Sequence, residues 1–207
     1  MYCIFNLEMD KTTIYIAIII VVICVLIRSH ESFVVVTGPD GQLYQVLAND
    51  PQRSAEMLAW INHANVEFMR YLRDTYPTSE YTELLRKRYD PDVVGEHFPN
   101  SFAPETAFVQ GKGDKIRFCL KEGKNPSTNS PYVDKNLMMF VNLHEMAHVA
   151  SHEYGHGTGF WQAFKTLLIR AEEAGLYKPA DFVDSSYVYC GLPITYNPYF
   201  DTNLGLC

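Results

Sequence analysis

The stretch "HEMAHVASHEYGHGTGFW", His144 to Trp161, holds four of the chain's seven histidines within 13 residues, with Glu145 and Glu153 among them. Imidazoles and carboxylates at this density form the donor set of a metal site, and zinc takes such ligands in tetrahedral geometry. The stretch opens with His144-Glu145-Met146-Ala147-His148, an HExxH sequence. On a helix, residues four apart stand one turn apart on one face. Both imidazoles can then converge on one cation while Glu145 projects beside them.

A catalytic zinc takes three protein ligands and keeps one position open. His152 and His156 are the candidates for the third ligand. His152 continues the row down the helix, but at a rise of ~1.5 Å per residue it stands ~12 Å from His144, too far to share one ion. His156 lies between Gly155 and Gly157, where the chain can turn sharply and swing a side chain back toward the helix. The expected ligands are His144, His148 and His156, with Glu145 as general base. His152 is left as an outer or surface histidine. His30, His63 and His97 have no clustered partners and read as ordinary histidines.

Such a face needs a rigid helix behind it. Leu137, Phe140, Val141, Met146 and Val149 supply apolar positions, and the pattern predicts helices over roughly 134–153 and 159–174, with Gly175 as a stop. Upstream, "ESFVVVTGPDGQLYQVLAN" reads as a hairpin with strands at 33–36 and 43–47. Asp50-Pro51 then opens a long amphipathic helix carrying Met57, Leu58, Ile61, Ala64, Phe68, Tyr71 and Leu72, and a second helical piece spans about 79–89. The stretch from there to Pro104 shows little periodicity. "TAFVQGKGDKIRFCL" is a second hairpin turning at Gly111 to Asp114, followed by the loop "NPSTNSP" and the two helices, and the tail from Val183 is aromatic. Helices, a small sheet and then the histidine helix make an α+β domain over 31–207.

Composition narrows the partners. The chain has 207 residues, 47% hydrophobic, with a net charge of −7. A duplex-binding surface needs clustered Lys and Arg, so no nucleic-acid partner is expected. "RKR" at 86–88 reads as the solvated face of a helix. No cysteine pair has CxxC spacing. Cys119, Cys190 and Cys207 belong to the folded part, and one must be left over if any two pair. No Asn-x-Ser/Thr acceptor is present except at Asn125, where proline follows.

After a flank over 1–11, residues 14–27 form 14 uncharged, almost wholly apolar positions, or 16 from Thr12, between Lys11 and Arg28. Sixteen residues reach ~24 Å against a hydrocarbon core of ~30 Å. No small-x-small cleavage site follows, so a retained single-pass transmembrane anchor over 12–27 is expected in preference to a signal peptide or a core helix. Lys11 balances Arg28, so the orientation is not readable.

The histidine stretch resembles the SprT-like and WLM zinc metallopeptidases, in which HExxH is followed by a short insert, a histidine and an aromatic residue. "GHGTGF" is similar to their third-ligand segment, "KIRFCLK" to the strand before the active-site helix, and "NLMMFVNLHEMAHV" to that helix. The likeness covers about a third of the chain, roughly 106–177, and departs from metzincins at Ser151 and Tyr154. It implies a zincin-like metallopeptidase domain with zinc on His144, His148 and His156, and an endopeptidase acting on polypeptides through a zinc-bound water activated by Glu145. The DNA-linked roles of soluble relatives do not carry over. Membrane-tethered relatives in large DNA viruses imply a virion or viral membrane. Strand 115–120 is the expected edge for an extended substrate, by strand addition. Tyr187 or Tyr189 is a candidate oxyanion donor, with packing as the first role of either. The alternative function is a catalytically idle structural membrane protein stabilised by zinc. Glu145 separates the two readings, because a structural site has no use for a base.

Overall fold

The computed structural model describes residues 10–28 (22–28 as backbone only), 32–99, 103–123, 130–182 and 187–207. The chain divides into two units, Met1–Ser32 and Phe33–Cys207. The first holds helix α1 (Lys11–Arg28), whose start is capped by Asp10 accepting from the Thr13 amide at 2.7 Å.

Among the described residues, no helix is long and apolar enough to cross a membrane. The anchor expected over 12–27 is corrected accordingly, and with it the membrane contact and the virion or viral-membrane localisation. Length is the physical reason. Helix α1 has 18 residues with Lys11 and Arg28 at its ends. The 14-residue apolar run between them reaches ~21 Å at 1.5 Å per residue, short of a ~30 Å core.

The second unit mixes helices and strands. Strands β1 (Phe33–Thr37) and β2 (Leu43–Leu47) form the first hairpin, with Phe33 opposite Leu47. Helix α2 (Pro51–Thr75) follows and buries Leu58, Ile61, Phe68 and Leu72 along one stripe. Asp50 does precede its first turn, but the Asp50 carboxylate accepts from the Tyr132 hydroxyl at 3.2 Å instead of capping the helix. Helix α3 (Glu80–Arg88) leads to β3 (Val94–Glu96), a short strand that the weak periodicity of its segment gave no sign of.

Strands β4 (Ala107–Gln110) and β5 (Lys115–Phe118) form the second hairpin. Because β3 adds parallel to β5, the sheet order is β3-β5-β4. The exposed edge is therefore β4. Strand β5, expected to offer that edge, is the central strand.

Helix α4 (Lys135–Ala150) carries the HExxH residues and is the most buried of the described helices, with Leu137 through Leu143, Glu145, Met146, Ala147, Val149 and Ala150 inside. Asp134 caps it, accepting from the amides of Asn136 and Leu137 at 2.9 and 3.2 Å. Helix α5 (Thr158–Glu173) packs against it through Phe160, Phe164 and Leu167. The two-residue strands β6 (Val188–Tyr189) and β7 (Leu192–Pro193) complete the unit. A disulfide joins Cys119, just past β5, to Cys190 in the β6–β7 turn, and Cys207 is the free thiol among the described side chains.

Candidate metal centre

Helix α4 places His144 and His148 on one face, their ring centroids 5.0 Å apart. The chain then breaks at Ser151 and returns as α5. Gly155 makes the sharp bend at φ 77°, a region open to glycine at little cost. The bend brings the His156 ring to 5.0 Å from His144 and 4.9 Å from His148. The Nε2 atoms of His144 and His156 are 3.1 Å apart. Nitrogens bound to one tetrahedral zinc at ~2.0–2.1 Å stand about 3.3 Å apart, so the spacing fits.

One ligand atom from each of His144, His148 and His156 lies within 4.8 Å of the others, and the three together could hold a metal ion. His152 is not among them. Its Nε2 meets Glu80 Oε1 at 3.1 Å on the surface. His63 is exposed on α2, and the half-buried His97 ring packs on Phe108 at 5.1 Å. His30 lies outside the described residues.

Burial chiefly, and then the neighbouring rings, hold the His144 pKa down to about 3; burial, His156 and Lys112 hold His148 at about 4. Both rings are neutral at pH 7, the state that can donate a lone pair to a metal. Phe160, fully buried, stacks on His148 at 4.3 Å and meets His144 and His156 edge-on at 4.9 and 4.6 Å. One aromatic wedge thus fixes all three imidazoles.

Glu145 is only 3% exposed, and its Oε2 has no hydrogen-bond partner. Burial pushes its pKa up to about 8. A cation beside it would favour the carboxylate and act in the opposite direction. A buried, unpaired acid costs stability, and such orphans in native folds are few and call for an explanation. A metal ion or a water held between the histidines and Glu145 supplies one.

Two cations that the sequence did not point to hold the elbow between the ligands. Arg88 donates through Nη1 to the carbonyls of Val149 and Ser151 at 2.8 and 2.9 Å. Lys112, from the β4–β5 turn, donates to the His148 carbonyl at 3.1 Å and to the Glu153 carbonyl. Positive charge at a helix C-terminus satisfies the last carbonyls and complements the helix dipole. "RKR" is therefore not all solvated face: Arg86 and Lys87 are exposed, while Arg88 turns inward. Lys112 takes φ 64°, uncommon for a residue other than glycine. Nothing in its spacing marked it, because both of its partners are backbone atoms far away in sequence. The Glu153 carboxylate accepts from the Gly159 amide at 3.1 Å. A side chain at Gly157 would collide with that carboxylate, its Cβ lying 2.3 Å from an oxygen.

Tyr189 lines the same cavity as His144 and Glu145, but its hydroxyl is already committed to a backbone carbonyl. The buried Tyr189 hydroxyl donates to the Cys119 carbonyl at 2.8 Å, and the Tyr187 ring packs on Phe182 at 4.9 Å.

No family model matches the chain, and no solved structure matches it. Among curated proteins it is similar to viral ones. An uncharacterized protein of Acanthamoeba polyphaga mimivirus is 33% identical over 114 residues, which is 55% of each chain. An uncharacterized protein of Invertebrate iridescent virus 6 is 44% identical over 63 residues, 30% of this chain and 34% of its own length. A third, from Invertebrate iridescent virus 3, is 44% identical over 78 residues, 37% of this chain and 45% of its own. The chain thus spans about half or less of the length of the curated relatives it matches.

Proposed function

We propose that this chain is a zinc-dependent endopeptidase, with His144, His148 and His156 holding the metal and Glu145 as its base. The observation that supports this most is the buried Glu145 carboxyl, whose Oε2 has no hydrogen-bond partner, beside three neutral imidazoles. A site that only needed to hold zinc for stability would have no use for that group. The likeness of "HEMAHV" and "GHGTGF" to SprT-like and WLM metallopeptidases points to the same reaction class.

Zinc held there supplies a Lewis acid and lowers the pKa of water at its open position toward neutrality. Glu145 takes the proton from the attacking water and passes it to the leaving amine, which needs one base that changes its protonation state within the cycle. Phe160 and the carbonyl grips of Lys112 and Arg88 keep the imidazoles in place. An extended polypeptide pairs along the free edge of β4, which runs beside Glu145 and His148.

The test is metal content and hydrolysis in one purified full-length protein. One zinc per chain is expected, with cleavage of an unfolded casein substrate. Glu145→Gln should keep the zinc and lose roughly 10²–10⁴-fold in rate. A fully zinc-loaded wild type that cleaves no member of a broad unfolded-protein panel would remove the peptidase reading.

A further inference from the structure

The β6–β7 hairpin turns on Cys190 and Gly191, with φ at 49° and 83°. Positive φ at both positions is the pattern of a type I′ turn, whose first position belongs to asparagine, aspartate or glycine. A cysteine there sits in the left-handed region, which disfavours residues with a Cβ. Its sulfur is bonded to that of Cys119, just past β5 and 71 residues away. An unfavourable turn residue thus places a thiol at the tip of the hairpin.

The strands themselves hold the hairpin weakly. Each has two residues, and so short a hairpin is not stable alone. The Tyr189 hydroxyl donates to the Cys119 carbonyl at 2.8 Å, so this bond ends on the same residue as the disulfide. The Ile194 amide donates to the Tyr187 carbonyl at 2.9 Å and closes the base. The tail beyond is anchored separately, with Asn197 donating to the Ala180 carbonyl and Lys165 to the carbonyls of Asp201 and Leu204. Release of the tip therefore leaves the C-terminus docked.

The place of the hairpin gives this tether its consequence. Tyr189, Leu192 and Pro193 form one wall of a cavity of about 400 Å³, and His144, Glu145 and His156 stand on another. A closed site excludes water and strengthens the electrostatics inside it.

On the peptidase reading above, we propose that the Cys119–Cys190 pair is a redox latch on the candidate metal centre. As a disulfide it holds the hairpin closed and the enzyme competent. As two thiols it frees Cys190 to leave the left-handed region, the wall opens to water, and the enzyme is idle.

The reductant is a dithiol. One of its thiolates attacks the Cys190 sulfur, and the Cys119 thiolate leaves and takes up the proton. The second thiol, as thiolate, then displaces Cys190 from the mixed disulfide, and Cys190 takes the second proton. Two electrons pass to the pair, and the reductant closes to its own disulfide. A low-molecular-weight disulfide reverses the exchange. Cys119 and Cys190 are 1% and 3% exposed, so exchange proceeds through local opening of the hairpin.

The test compares the zinc-loaded full-length protein before and after treatment with a phosphine reductant. Amide hydrogen exchange over residues 187–194 should speed up at least about 10-fold, within the effect of losing a cross-link, with exchange in α4 and the zinc content unchanged. Casein hydrolysis should fall by at least about 10-fold and return after treatment with oxidised glutathione. Two variants separate the tether from the turn. Neither Cys190→Gly nor Cys190→Ser should respond to reductant. Glycine suits the turn, so the hairpin of Cys190→Gly should exchange more slowly than that of Cys190→Ser.

Unchanged hairpin exchange on reduction overturns the latch. Faster exchange in α4 with loss of zinc also overturns it, because the disulfide would then staple the whole unit. Hydrolysis that survives an opened hairpin does the same and leaves the peptidase reading standing. A hairpin that opens on reduction in a protein that cleaves nothing when oxidised supports the latch and removes the peptidase reading.

Discussion

Asn142 and Glu145 stand three residues apart on α4, at 1% and 3% exposure, and the fold treats them in opposite ways. Asn142 donates to Asn65 at 2.6 Å and accepts from it at 3.1 Å, a reciprocal amide pair linking α4 to α2. The chain of bonds continues outward. Asn65 donates to Tyr89, Tyr89 to Asn62 at 2.6 Å, Asn62 to Tyr44 and Tyr44 to Asp40. Glu145, by contrast, keeps an oxygen with no partner. Buried polar groups that serve architecture are paired, because each unpaired one costs the desolvation of that group. A buried oxygen left unpaired three residues from so well-satisfied a network is what the chemistry proposed for Glu145 would account for.

That contrast can be broken by mutation. Asn142→Leu should destabilise the protein by about 2–3 kcal/mol, because it strands the Asn65 amide in the core. The double variant with Asn65→Leu should recover part of the loss, because no amide is then stranded, less the Asn65 bond to Tyr89 that it also gives up. Urea unfolding of the two variants measures this, and additive losses would show that the pair is not a unit.

Glu145→Met should change the chelator-treated protein in the other direction, raising its stability by about 1–2 kcal/mol. The pH dependence sharpens the point. Burial raises the carboxyls of Glu145 to about 8 and Glu96 to about 7, above their ordinary value of 4.5. In the metal-free state these two carboxyls keep protons that the unfolded chain has lost, so their contribution to stability falls as pH rises from 4.5 to 8, while His144 and His148, held down to about 3 and 4, contribute an opposing rise up to their ordinary value of 6.5. Glu145→Met should flatten the fall up to pH 8, and Glu96→Gln only the part up to about 7. Thermal melts across that range, with chelator present, read both.

The smallest effect is expected outside the buried clusters. Lys112→Met removes the grip on the His148 and Glu153 carbonyls and leaves all three imidazoles in place. Zinc affinity should fall about 10-fold, the lower end for groups that orient metal ligands, with little change in the melting temperature. Competition with a chromogenic chelator gives the affinity, and an unchanged value would show that Arg88 and Phe160 hold the elbow without Lys112.

Local spacing by itself determined a good part of this protein. The HExxH period, the glycines around His156 and the two turn clusters fixed the helix face, the return of the chain and both hairpins, since each depends on residues within one or two turns of each other. The apolar run of 14–27 was equally visible, but visibility was not enough there: the 14 apolar residues between Lys11 and Arg28 fall short of membrane thickness. Tertiary structure decided what depends on distant partners. The parallel addition of β3 moved the free edge from β5 to β4. The choice of Cys190 for Cys119 came across a separation of 71 residues. Arg88 and Lys112 became supports of the candidate metal centre through backbone carbonyls, which carry no residue identity for a sequence to display. The cavity beside the histidines belongs to the same class, since its walls come from two helices and a hairpin that meet only in the folded chain.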